Sequence, residues 1–353
     1  MKTYISLLSK ELNVNEKSVE ATLELFEQGA TVPFIARYRK EQTGSLDEVQ
    51  IIAIRDRYEQ MVELDKRKVA ILKSIEEQGK LTPELKKKID EALSMSLLED
   101  LYLPYKPKRK TKGSIAKEKG LEPLALMMFE QGNQNPDELA LTYVNEELGV
   151  KDIAEALSGA RDIVEEMMNE DAELRTSLRK IYQDTALIKS TLVKGKEEEG
   201  EKYKDYFEYT EKLASVPSHR LLAIRRGEKE MILTLDVLPD EEVIAQKMSD
   251  KFIKGSSPWK AYMEQACKGS FKRLLKPSLE TEFRLLSKQK ADTDAIHVFA
   301  DNARQLLLAS PLGQKNILAL DPGFRTGCKM VALNRQGKLM EHTAIYPHEP
   351  QRD

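Results

Sequence analysis

The sequence predicts a mainly α chain, a multi-domain helical array with one long helix late in the chain and strands gathered near its C-terminal end. Three observations lead there. Apolar residues recur at helical spacing through roughly the first two hundred positions, between recognisable caps. Charged residues make up 33%, above the roughly one quarter of ordinary globular domains, and aromatics only 6%. That balance suits amphipathic helices with solvated faces and suits dense sandwiches poorly. The stretch "NILALDPGFRTGCKMVALN", Asn316 to Asn334, breaks the pattern with short apolar runs around a turn.

From the N-terminus, Val19, Leu23 and Phe26 repeat at helical spacing behind an Asn15 cap, and Gly29 ends that helix. "ATVPFIARYRKEQTG" follows, a Pro-marked apolar entry and then a basic turn. A long helix is expected from Ser45 to about Gln78, with Leu46, Val49, Ile52, Met61, Leu64, Val69, Leu72 and Ile75 as its stripe. Gly79 closes it, and Thr82 with Pro83 opens the next as cap and first residue. Short helices and Pro- or Gly-marked turns alternate to about Lys189, as in a compact helical array.

"VKGKEEEGEKYKDY", Val193 to Tyr206, has almost no apolar content and reads as a solvated hairpin tip or linker. A strand is expected over Met231 to Val237 and a helix over Glu241 to Phe252. Lys276 to Ala309 reads as one helix, ~50 Å long at 1.5 Å per residue. Leu279, Phe283, Leu286, Ile296, Phe299, Ala303 and Leu306 form its stripe, with Phe283 and Phe299 expected to be buried. Ile317 to Leu320 reads as a buried strand delivering Asp321 to a turn, and Cys328 to Leu333 as the returning strand.

A chain of 353 residues has room for roughly two to three domains. Its net charge of −3 means that any binding to a polyanion must come from local patches. Cys267 and Cys328 lack metal-ligand spacing and are expected to be reduced, half-buried thiols. The N-terminus has no signal-peptide pattern, and nothing approaches the ~20 apolar residues of a membrane span. A soluble, cytoplasmic, monomeric protein without membrane partners is expected.

For chemistry, Asp321 is open to two readings, a metal ligand or the start of an Asp-Pro-Gly turn. A two-metal nuclease needs several converging carboxylates, and the nearby acids Glu341, Glu349 and Asp353 follow on the next strand and tail. His219, His297, His342 and His348 are scattered without metal-ligand spacing. No phosphate-binding or nucleophile motif is present, so no catalytic residue and no cofactor are assigned. The basic clusters say more. "YKPKRKTKGS" brings Lys106, Lys108, Arg109, Lys110 and Lys112 together in a stretch that its prolines and glycine keep out of a helix. "FIARYRKE" sets Arg37, Arg39 and Lys40 on a turn beside Tyr38, and "SHRLLAIRRGEK" adds His219, Arg220, Arg225 and Arg226. Such groups supply phosphate contacts, or they are merely solvated. Single-strand readers also need stacking aromatics, and only Tyr38, Tyr102 and Tyr105 lie adjacent. Tyr38 is expected to be a core or interface aromatic, and Trp259 to pack against a helix.

Taken together, "ATVPFIARYRKEQTG", "LEDLYLPYKPKRKTKGSIAKEKGLEPLA", "SHRLLAIRRGEKE" and "ILALDPGFRTGCK" with "IYPHEPQ" resemble the bacterial Tex family of transcription accessory proteins. The resemblance runs over essentially the whole chain. It implies a helix-turn-helix-like unit and, from Lys315, the first strands of an incomplete ribonuclease-H-like (YqgF) domain. It also implies that the chain is the N-terminal half of a longer protein, and that Asp321 is the first-strand acid of a degenerate nuclease fold. The expected domains are 1–192, a helical N-terminal domain; 193–206, the charged hairpin or linker; 207–314, a helical middle with the long helix; and 315–353, the YqgF-like start. The function so implied is a nucleic-acid-binding accessory factor of transcription, also linked to translation, with RNA and DNA as ligands and RNA polymerase or the ribosome as partner. The alternatives are a metal-dependent nuclease or resolvase and a helical protein-interaction scaffold.

Overall fold

The computed structural model describes residues 2–107, 110–323 and 327–347. Its chain divides into two units, Met1–Ser287 and Lys288–Asp353.

The first unit is mainly helical, and three buried apolar clusters among its described residues organise its helices. Helices α1 (Lys2–Leu12), α2 (Glu16–Glu27), α3 (Val32–Tyr38) and α4 (Lys40–Thr43) gather with the start of α5 (Glu48–Glu77). Leu8, Val19, Leu23, Ile35, Ile51 and Ile54 are buried together there. Asn15 caps α2 by accepting from the Lys17 N–H, and Asp47 with Gln50 forms a reciprocal capping box on α5. At 30 residues, α5 spans ~45 Å and serves a second core. There Ile71 and Ile75 meet Ile89 of α6 (Pro83–Asp90) and Leu98 and Tyr102 of α7 (Met95–Tyr102). Thr82 and Pro83 cap and open α6 as expected. The stripe of α5 differs from the expected one: Val49, Ile52 and Val69 are exposed, while Ile51, Ile54 and Ile71 are buried. This helix is apolar on more than one arc, and its two cores decide which arc is covered.

The third core surrounds α11 (Ile153–Asn169), against which α8 (Lys112–Glu118), α9 (Glu122–Glu130) and α10 (Pro136–Leu141) pack. Ala156 and Ala160 keep its surface low, and a Cβ at Gly159 would fall 2.4 Å from Leu121. Next come α12 (Ala172–Thr185) and an antiparallel sheet of β1 (Leu187–Leu192), β2 (Glu208–Lys212) and β3 (Leu233–Leu238), ordered β2-β1-β3. The sequence reading missed β1 and β2. "LIKSTL" and "EYTEK" are short, carry lysines and glutamates, and show their alternation only once paired. The segment 193–206 does join them as a hairpin, yet it is more than a solvated tip. Its 3-10 turn Glu201–Tyr206 buries Tyr203, and buried Gly200 abuts Ile232 and Phe207.

Helix α13 (Ser218–Lys229) lies against β3 and is followed by α14 (Glu241–Phe252) and α15 (Lys260–Ser270). A π-helical turn, Phe271–Leu275, leads into α16 (Lys276–Leu307). Trp259 is buried in this core, as expected. A buried ionic joint ties α7 to it. Asp100, 3% exposed, accepts from Arg175 and Arg179 of α12, and these reach Ser278 and Glu282 of α16.

The second unit holds the rest of α16 and the antiparallel sheet β4 (Ile317–Asp321), β5 (Cys328–Leu333) and β6 (Leu339–Ile345), in that order. Two expectations fail here. Leu318 and Leu320 of the supposedly buried strand are exposed. Phe283 is buried, but Phe299 is 73% exposed, and Leu286, Ile296 and Leu306 are exposed with it. Helical spacing fixes which residues share a face; a second layer must bury them, and among the described residues none covers these.

Candidate nucleic-acid interface

Val32, Ile35 and Ala36 face inward from α3 against α5 and fix its orientation. At 3.6 residues per turn, Phe34, Arg37 and Tyr38 must then point outward. Tyr38 is 67% exposed and Phe34 39%, with ring centroids 5.5 Å apart and planes tilted by 45°. The Arg39 guanidinium lies over the Phe34 ring, 4.8 Å from its centroid, and its Nη1 donates to the Tyr38 carbonyl at 3.0 Å. Arg39 sits at the junction of α3 and α4, and Lys40 opens α4. The expected basic turn is therefore two short helices, and Tyr38 is a surface aromatic. Its neighbours on the chain, Arg37 and Lys40, are exposed and form no ion pair with a described residue.

The second cluster lies between α7 and α8. Lys106 is exposed after the last turn of α7, and Lys110 is exposed and reaches Glu118 at 3.5 Å. Lys112 is no loop residue. Thr111 caps α8 by accepting from the Ser114 N–H, so Lys112 and Gly113 begin that helix. The buried Gly113 N–H donates to Glu166 at 3.0 Å, which anchors the end of the loop to α11. Lys108 and Arg109 lie outside the described residues. Of the adjacent aromatics, Tyr102 is buried with its hydroxyl 3.0 Å from Ser74 Oγ, and Tyr105 is half-buried. Neither matches the exposure of Tyr38.

The third cluster is on α13 and is largely occupied. Arg220 reaches Glu211 and the Tyr209 hydroxyl, each at 3.4 Å. Arg225 is half-buried and donates to Glu228 at 2.9 Å. Arg226 is exposed and forms no ion pair with a described residue. The clusters thus have three different supports: α3 and α4, the α7–α8 connection, and α13. Phe34 is the exposed aromatic beside the first cluster that sequence reasoning missed. Its spacing of four from Tyr38 was the available signal.

Asp321 ends β4 opposite Lys329 of β5 and is exposed. Among the described residues no group of three or more His, Cys, Asp or Glu could hold a metal ion. Both cysteines are free. Cys267 is buried, and burial pushes its thiol up to about 11, which leaves little thiolate near neutral pH. No helix among the described residues is long and apolar enough to cross a membrane.

Residues 2–76 match the Tex-like protein N-terminal domain, 131–299 the Tex central region and 315–353 the Tex protein YqgF-like domain. The chain is 42% identical over 348 residues to the uncharacterized protein YdcI of Bacillus subtilis, covering 97% of this chain and 48% of that protein. It is 43% identical over 349 residues to the transcriptional accessory protein Tex of Neisseria gonorrhoeae, covering 97% and 46%. It is 27% identical over 365 residues to the human S1 RNA-binding domain-containing protein 1, covering 98% and 36%. The chain therefore spans about half the length of its bacterial relatives. Three matches in family order, and identity running through nearly all of the chain, place this protein in the Tex family.

Proposed function

We propose that the chain is a nucleic-acid-binding part of a transcription accessory factor, with RNA and duplex DNA as ligands and phosphates as the groups held. The observation that carries this reading is that, within the three basic clusters, Arg37, Lys40, Lys106, Lys112 and Arg226 are exposed and form no ion pair with a described residue, on a chain of net charge −3. On such a chain, binding must run through these local patches, and Lys and Arg contacts to phosphate are blind to sequence. The names of the Neisseria and human relatives, one a transcriptional accessory protein and one containing an S1 RNA-binding domain, point the same way. RNA polymerase or the ribosome is the proposed protein partner.

Binding without cleavage is part of this reading. A lone carboxylate at Asp321 cannot hold and orient two metal ions, which in a two-metal mechanism sit about 4 Å apart and need further acids. The test reverses charge in the α7–α8 connection. Lys106→Glu, Lys110→Glu and Lys112→Glu together are expected to weaken RNA and duplex DNA alike and to flatten the salt dependence. Unchanged affinity with an unchanged slope would show this connection to be merely solvated. Cleavage in Mg²⁺ or Mn²⁺ that disappears in Asp321→Asn would favour a nuclease instead.

A further inference from the structure

We propose that Phe34, Tyr38 and Arg39 form a stacking platform for the unpaired bases of single-stranded RNA, with Arg37 and Lys40 holding the flanking phosphates. This inference rests on the nucleic-acid-binding reading and gives it a site and a preferred strand state.

The geometry of α3 carries it. Val32, Ile35 and Ala36 already anchor the helix, so Tyr38 stands largely in water and Phe34 is partly exposed beneath Arg39. Single exposed aromatics are ordinary. Here two sit one helical turn apart, and a guanidinium is stacked on the first. With planes tilted by 45° and centroids 5.5 Å apart, one base cannot lie flat on both rings, so each ring suits a separate base. Arg39 covers one face of Phe34, and its carbonyl bond to Tyr38 helps hold it there. The outer plane of that guanidinium is a further stacking surface.

Charge selects the occupant. Between Val32 and Thr43 the chain carries Arg37, Arg39 and Lys40 against a single acid, Glu41. Aromatic faces interleaved with cations are the means by which single strands are held without reading sequence. In a duplex the bases are stacked on one another and their faces are unavailable, so this platform discriminates by strand state. Phosphate contacts from Arg37 and Lys40 alone would not.

The test measures affinity for a fluorescent single-stranded RNA and for an RNA hairpin stem, at low salt, with the intact chain. Tyr38→Ala and Phe34→Ala are each expected to weaken the single strand by about fivefold or more while changing the stem by less than about twofold. Tyr38→Phe should retain single-strand binding. Tyr38→Trp should retain it too, and its fluorescence should be quenched as the RNA is added. Since both rings are exposed, circular dichroism should show an unchanged fold. Equal losses on strand and stem would overturn the platform in favour of a phosphate-only site. Tight RNA binding that ignores Tyr38→Ala, with no quenching in Tyr38→Trp, would overturn it in favour of a protein-facing aromatic pair while leaving nucleic-acid binding intact. Failure of the unaltered chain to bind either RNA would overturn both readings.

Discussion

Asp100 accepts from the Arg175 guanidinium at 2.7 Å, with both side chains buried where α7 meets α12. Its other oxygen accepts from Arg179, which also bonds Glu282 at 2.6 Å. One carboxylate thus bridges two arginines, with Glu282 supplying the second negative charge, at the joint between the second and third helical cores. Asp100→Ala leaves both cations without it in a desolvated place, and removing one partner of such a group costs about 3–5 kcal/mol. Chemical denaturation should show a loss of that size. A change under about 1 kcal/mol would mean that water reaches the joint.

A second test uses alkaline pH. The Tyr4 hydroxyl on α1 donates to Asp65 on α5, and this bond, with burial, raises the phenol from 10.0 to about 12. A group whose value is raised by folding contributes stability that is present below its unfolded value and lost as pH rises through its folded one. The melting-temperature difference between the unaltered chain and Tyr4→Phe should therefore hold from pH 7 to about 10 and shrink toward pH 12. A gap that widens above pH 10 would contradict the bond.

Glycine in a helix is usually improved by alanine, by roughly 0.5–1 kcal/mol. Gly227 of α13 should reverse that sign. A Cβ there would lie 2.6 Å from Leu233 Cδ1 and 2.9 Å from its Cγ, and Leu233 is buried on β3. Gly227→Ala should cost about 1–3 kcal/mol through overpacking. A stabilised variant in a denaturant titration would show that α13 can lift off the strand.

Phe283 and Phe299 lie on the same long helix and should behave oppositely. Phe283 is buried, with its ring stacked on Tyr182 at 5.1 Å, and Phe283→Ala should cost about 3–5 kcal/mol. Phe299 is exposed in the second unit, and Phe299→Ala should fall within about 0.5 kcal/mol of the unaltered chain. Equal losses in thermal melts would show that something covers Phe299 in solution.

That pair also marks how far the sequence could be read. Caps are local, so Asn15, Thr82 and the bounds Glu241–Phe252 followed directly from residue type and spacing. Burial is not local: the same spacing describes Phe283 and Phe299, and only neighbouring layers separate them. β1 and β2 stayed hidden because their alternation becomes meaningful only when Leu187 pairs with Lys212 and Ser190 with Tyr209. In the candidate interface the cations were legible as composition. Which of them remain available was not, since Arg220 and Arg225 are engaged by Glu211 and Glu228, partners that folding supplies. Of the two readings of Tyr38, core or interface aromatic, the core one fails for a related reason: an aromatic beside a Pro-marked apolar entry looks like core until the inward arc of α3 is known to be Val32, Ile35 and Ala36.

The salt dependence of single-stranded RNA binding by the intact chain tests phosphate contact by its exposed cations most directly. Each phosphate neutralised on a single strand contributes about 0.7 to the slope of log K against log salt. If roughly three to five of the exposed cations engage, the slope should lie near −2 to −3.5 and become shallower when Arg37 and Lys40 are both changed to Ala. A flat line, or no binding at low salt, would contradict a nucleic-acid-binding role for this chain.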